Sequence, residues 1–163
     1  MEIRPERPGD EAEIAALITG AFAGADHSDG TEANIVERLR QNGALTLSLV
    51  AEIGGAIVGH VAYSKVTIDG TEAGWFGLGP VAVSPLHQRG GIGDRLIREG
   101  LDRLREIGSA GCVVLGDPAY YRRFGFVTDA GLRFPGPPPE YFQSLPFIGD
   151  IPNGVVAYHS AFG

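Results

Sequence analysis

Apolar residues return along this chain at two different periods. Ile14, Leu17, Ile18, Ala21 and Phe22 recur at helical spacing, which predicts an amphipathic helix over 10–22. Asp10, with Glu13 three residues on, reads as its start in a capping-box pattern. A second helix is predicted over 31–41, with Ile35, Val36 and Leu39 as its stripe and Asn42-Gly43 as its stop. A third, over 92–107, carries Ile92, Leu96, Ile97, Leu101 and Leu104 on one face. Between helices the pattern changes to strands. Residues 2–5 suit a short first strand. Residues 46–53, 56–68 and 72–83 read as a three-strand meander turned at Gly54-Gly55 and Asp69-Gly70. Residues 111–115 form a short apolar strand, and Asp117-Pro118 opens a short helix that Gly125 ends. Phe126–Thr128 begins another strand, and 155–158 is the last. Trp75, Phe76, Phe124, Phe126 and the single Cys112 are expected in the core.

Composition first pulls against this picture. There are 25 glycines and 11 prolines in 163 residues, about 22% against roughly 12% in an average protein. The 44% hydrophobic content is enough for a real core, so the chain reads as one domain over 1–163 rather than a disordered one. The glycines and prolines instead mark local geometry. Pro80 inside the third meander strand cannot donate to a ladder, so Gly79-Pro80 is expected to be a bulge. No apolar run approaches the ~20 residues of a membrane span, and the charged start is unlike a signal peptide. One cysteine forms no internal disulfide, which fits a cytoplasmic setting.

The net charge of -7 argues against nucleic acid as a partner. The charge is uneven, however. Residues 84–123 hold seven arginines and five acids, whereas the rest is strongly acidic. A locally basic stretch suits an anionic ligand, though a solvated helix face has the same signature.

That stretch opens with Val81-Ala82-Val83-Ser84-Pro85-Leu86-His87-Gln88-Arg89-Gly90-Gly91-Ile92-Gly93. A strand passes through a glycine-rich turn into a helix. Glycines let the backbone approach a ligand, and the first helical turn offers unpaired N–H groups and positive dipole. This is a phosphate cradle in outline. The alternative reading of the glycines alone is a tight turn with no ligand. The spacing matches neither a dinucleotide fingerprint nor a P-loop.

Gln88-x-x-Gly91-x-Gly93 after the Leu78-x-x-Val81-x-Val83 strand resembles the acetyl-CoA motif of the GNAT superfamily of N-acetyltransferases. Tyr121-Arg122-Arg123-Phe124-Gly125-Phe126 resembles the Y-x-x-x-G-F element of the same family, in the same element order. The wider Leu115–Phe126 run is similar to a bacterial subgroup. The resemblance implies an α+β, three-layer fold, with a mixed, mostly antiparallel sheet of about seven strands and about four helices. It also implies acetyl-CoA as cosubstrate. The main-chain groups of Val81, Ala82 and Val83 would bind pantetheine. Gln88, Arg89, Gly90, Gly91, Ile92 and Gly93 would bind the pyrophosphate. Tyr121 would protonate the departing thiolate. Arg95 and Arg98 would either meet CoA phosphates or lie exposed on the helix.

The implied reaction is direct attack by a primary amine, of a small molecule or peptide, on the thioester. Residues 73–83 hold no acid or histidine, where many family members carry a glutamate base. His60, His87, Asp117 or a water chain are the alternatives, each histidine or acid also having an ordinary structural reading. The asparagine that many members carry near Leu115 is absent too. A non-catalytic acyl-CoA-binding module and a transferase of another acyl group are the competing functions. No metal, membrane or nucleic acid is expected, and a homodimer is admitted. The proline-rich run 130–153 reads either as a cover over the acceptor site or as packing on a sheet edge. Asp26, Asp29 and Glu32 are candidates for attracting a cationic amine.

Overall fold

The computed structural model describes residues 1–24 and 29–163. Strand β1 (Glu2–Pro5) precedes helices α1 (Glu11–Phe22) and α2 (Glu32–Gln41). The meander β2 (Leu45–Ile53), β3 (Ala56–Ile68) and β4 (Thr71–Val83) follows, then α3 (Ile92–Glu106) and β5 (Gly111–Leu115). Short α4 (Pro118–Tyr121), β6 (Leu132–Arg133), β7 (Phe142–Pro146) and β8 (Gly154–Ala157) complete the chain. The main sheet runs β1-β2-β3-β4-β5-β7. Its pairings are antiparallel except β4–β5, because β4 must cross over through α3 to reach its parallel neighbour. β8 runs beside the far end of β3 and pairs in parallel with β6.

The meander turns follow from their residues. Gly54 and Gly55 both have positive φ, as do Asp69 and Gly70, the conformation that two-residue hairpins require. Side-chain alternation then sorts the core. Leu49, Val61, Tyr63, Phe76, Leu78, Cys112 and Val114 face α3, together with Phe124 and Phe126. On the opposite face α1 and α2 cover Val50, Ala62 and Ala82. Residues from β6, β7 and β8 cover Val66, Trp75 and Val113. α3 carries Gly100 against Tyr63, whose hydroxyl donates to Ile97 O at 2.9 Å, so helix and sheet pack closely there. Cys112 is fully buried, and burial pushes its thiol well above the ordinary range.

Three expectations are corrected. The Asp10–Glu13 capping box does not form. Asp10 is drawn instead to Arg4 Nη1 at 2.8 Å and the Arg7 N–H at 2.7 Å, and Glu13 accepts from Ile57 N at 2.7 Å. Phe126–Thr128 is not a strand but one bridge, Val127 to Ser144. The run 130–153 is not irregular throughout: Phe142–Pro146 is a strand paired with β5, so the segment packs on the sheet edge, the second of its two readings. Phe134 and Phe142, 5.6 Å apart, pack within the core beneath β6 and β8.

Candidate active site

Strand β4 makes the site by changing partners along its length. Trp75–Leu78 pair in parallel with Gly111–Val114 of β5. Gly79 (φ +135) and Pro80, joined by a cis peptide, then insert a bulge, so Val61 faces Val81 while Tyr63 faces Leu78. Glycine accepts that φ and proline brings no donor to leave unpaired. Beyond the bulge Val81, Ala82 and Val83 pair with β3 alone, the β4–β5 ladder having ended at Leu78 and Val114. A wedge opens between β4 and β5, with one edge of residues 81–83 lacking a strand partner among the described residues.

At the wide end of the wedge, Val83 leads through the 3-10 turn Pro85–His87 into α3. Gln88 Nε2 donates to Val83 O at 3.0 Å, tying the loop back to the strand. Arg89 and Gly91 take left-handed φ values of +67° and +87°, and Gly91 immediately precedes the helix. The Arg95 N–H bonds Gly91 O at 3.1 Å, whereas those of Gly90 to Asp94 have no backbone acceptor among the described residues. These amides and the helix dipole make an end suited to an anion. The residues thus fit a pyrophosphate, and the unpaired strand edge fits an amide-bearing arm beside it.

The third wall is α4 with the 3-10 turn Arg122–Phe124. Asp117 caps it by accepting from Ala119 N at 2.9 Å, which commits that carboxylate to structure. The segment docks on α3. Arg123 lies 4.3 Å over the Tyr120 ring and 3.9 Å from Asp94, and Arg98, bonded to Asp94 at 2.6 Å, lies 4.8 Å over Phe124. The Tyr120 hydroxyl is 3.6 Å from where a Cβ on Gly93 would lie, so it borders the helix start. Tyr121 packs edge-on against Tyr120 at 5.0 Å and Phe126 at 6.1 Å, with Gly116 leaving room for its ring. Burial pushes the Tyr121 phenol up to about 12, and Tyr120 and Cys112 add to it, so it is protonated at neutral pH.

The structure therefore gathers the cradle, residues 81–83 and the Tyr121 segment around one wedge. It separates the three base candidates. Asp117 is a cap. His87 sits half-buried in the 3-10 turn. His60 is fully buried on β3, bonded through Nε2 to Ser48 Oγ at 2.8 Å. Arg95 is exposed, and Arg98 is engaged with Asp94. Among the amine candidates, Asp29 is exposed and bonded to Thr31, and Glu32 lines a cavity of about 150 Å³ between α1 and α2 with Ile18, Phe22 and Ala33. Asp26 lies outside the described residues. Tyr120, which the sequence suggests as a packing aromatic beside Tyr121, does pack there and also borders the helix start, whereas the partners of His60 share no motif with it and could not be read from the sequence.

A family model described as an acetyltransferase (GNAT) domain matches residues 2–128. YhbS of Escherichia coli K12, named an uncharacterised N-acetyltransferase, is 42% identical over 170 residues, which span 99% of this chain and 98% of its own. A GNAT family acetyltransferase from Brucella melitensis, solved in complex with acetyl-CoA, has a TM-score of 0.91 at 52% identity. That match covers 99% of this chain and 97% of the other. The E. coli YhbS structure, solved with CoA, also has a TM-score of 0.91, at 39% identity over 99% and 91% of the two chains. No helix among the described residues is long and apolar enough to cross a membrane. The family match runs from β1 through the Tyr121 element, and on it the chain belongs to the GNAT family of acetyltransferases.

Proposed function

We propose that this chain transfers the acetyl group of acetyl-CoA to a primary amine of a small molecule or peptide, by direct attack with both substrates bound. The observation that carries this reading is the wedge. The pairing of β4 with β5 ends at Leu78 and Val114, at the side of a helix start rich in unpaired amides. The acetyl-CoA and CoA complexes of the two similar structures support the same cosubstrate here.

Acetyl-CoA supplies an activated acyl carbon and a thiol leaving group. The chain's own residues do the rest. Amides of Arg89 to Gly93 hold the pyrophosphate, with Gln88 bracing the loop by its bond to Val83 O. Val81, Ala82 and Val83 bond the pantetheine arm as an added strand would. An N–H near Val81 polarises the thioester carbonyl. Tyr121 keeps its proton through burial and delivers it to the thiolate. Glu32, beside the small cavity between α1 and α2, favours a cationic acceptor.

The deciding experiment follows free CoA release across a panel of amines, with the acetylated product identified. Stoichiometric release with one amine is the expected outcome. CoA binding without turnover on any amine would instead identify a binding module. Faster turnover with another acyl-CoA would move the donor assignment. Absence of any melting-temperature shift at millimolar CoA would defeat the cosubstrate assignment, since a ligand of the native state must stabilise it.

A further inference from the structure

One strand away from residues 81–83, the sheet carries a line of buried polar groups that the chemistry above leaves unused. His60 lies directly opposite Ala82 in the β3–β4 ladder, so the two side chains share the face covered by α1 and α2. Its Nε2 lies 2.8 Å from Ser48 Oγ on β2. Ser48 Oγ in turn donates to Glu6 Oε1. Glu6 is clamped by Arg40 of α2, with Nε at 2.9 Å and Nη2 at 3.0 Å. Glu6, Arg40 and Ser48 border an open cleft of about 310 Å³ beside the start of β2. The line thus runs from a dry face next to the proposed cofactor strand to water.

Counting protons along the line assigns the tautomer. Burial raises the Glu6 carboxyl, but hydrogen bonds from Arg40 and Ser48 and the charge of Arg40 outweigh it and hold it below the ordinary value. An ionised carboxylate only accepts, so the Ser48 hydroxyl donates to it. Ser48 must then accept from His60 Nε2–H, which leaves the lone pair of a neutral ring on Nδ1. That Nδ1 is buried without a hydrogen-bond partner among the described residues. Such an atom is uncommon in a folded protein and calls for an explanation.

We infer that His60 takes up the proton released by the acceptor amine, directly or through one water, while Ser48 and Glu6 hold it in the required tautomer and balance its charge. The inference rests on the transferase reading above. As the amine nitrogen bonds the acyl carbon, its N–H bond breaks and the proton passes to Nδ1. The C–S bond electrons leave on the thiolate, which takes the Tyr121 proton. Water returns the proton from His60 to Tyr121 after the products leave, so the cycle balances. His60 would be the catalytic base, and Ser48 and Glu6 are positioning residues, an arrangement like the histidine and its buried carboxylate in a hydrolase triad. The site explains why residues 73–83 manage without an acid or histidine.

The charged groups near the ring are Glu6, which favours its protonation, and Arg40, which opposes it. α1 presents Ile14, Leu17, Ile18, Ala21 and Phe22 to this core, and α2 presents Ala33 and Val36. Burial, with Arg40 adding to it, outweighs Glu6 and brings the imidazole down to about 4, so the ring is neutral across the physiological range.

His60→Gln tests this, because glutamine keeps an N–H for Ser48 but offers no lone-pair nitrogen at the Nδ1 position. With whichever panel amine the wild type acetylates, kcat should fall at least about 100-fold, with CoA affinity unchanged. Glu6→Gln and Ser48→Ala should lower kcat less and shift its acid limb, which a purely structural role would leave in place. Ring-nitrogen NMR of the wild-type chain should report the Nε2–H tautomer. The Nδ1–H tautomer overturns the inference without any assay and without the variant having to fold. A folded His60→Gln with wild-type kcat also overturns it and leaves the transferase reading standing. Failure of the wild type on every amine removes both.

Discussion

Tyr158 fills the space that a side chain on Gly77 would need: a Cβ there would lie 2.5 Å from Tyr158 Cε1. The ring is held by Phe134 at 5.1 Å and Phe162 at 5.2 Å, so it has little room to give. Gly77 is also two residues ahead of the bulge that opens the wedge. Gly77→Ala should therefore cost about 1–3 kcal/mol through overpacking. Thermal denaturation should show a drop of several degrees. A variant melting with the wild type would mean that Tyr158 swings aside freely.

Gly91 offers a sharper test of the cradle, because its φ of +87° is strained for any L side chain. Gly91→Ala should lose roughly 1 kcal/mol of stability and weaken CoA binding, as followed by calorimetric titration. Gly90→Ala is the matched control. It has no positive φ, and its Cβ would meet only His87 O at 3.7 Å. Wild-type CoA affinity in Gly91→Ala would take the helix start out of the cosubstrate site.

Tyr121→Phe keeps the ring that packs against Phe126 and removes only the hydroxyl. Turnover should fall by about 10–100-fold with acetyl-CoA affinity nearly unchanged. Because burial raises this phenol to about 12, the wild type should show no alkaline limb from Tyr121 below pH ~10. Full activity in the variant would remove Tyr121 from the chemistry.

Stability should fall in acid, and the sign follows from His60. Its folded value of about 4 lies below the ordinary 6.5, so the unfolded chain binds a proton first as pH drops. Between those values stability should decline by roughly 3 kcal/mol in total. Asp10, lowered by its hydrogen bond from Arg4, and Glu6 extend the loss as pH falls further, through their own folded values. Urea midpoints at pH 7 and 4.5 measure this. In His60→Gln the drop should shrink, and an undiminished drop would show that the imidazole does not stay neutral in the fold.

Much of this architecture could be read from local pattern. The helices and the meander declare themselves by period, and the cradle by Gly90, Gly91 and Gly93 behind a strand. Tyr121 stands out through its spacing to Gly125. What could not be read depends on register. Phe142–Pro146 follows a proline-rich run and ends in proline, so it looks like loop until β5 is seen beside it. Ser48 meets His60 only because β2 and β3 pair as they do, and Glu6 joins them from 42 residues before Ser48. Asp10 and Glu13 failed as a capping box because Arg4 and Ile57 N, remote in the chain, made better partners.

The docking of α4 on α3 has an evolutionary side. Arg123 and Arg98 bind the Tyr121 segment to the first turns of the cradle helix, so the span from anion site to phenol behaves as one rigid part. None of that part belongs to α1, α2 or the link between them. If the acceptor binds between α1 and α2 as proposed, mutations there other than at Arg40, which clamps Glu6, change the amine while the half proposed to handle the acetyl group keeps its dimensions. A lineage of such proteins is then free to diversify in what it modifies without relearning how.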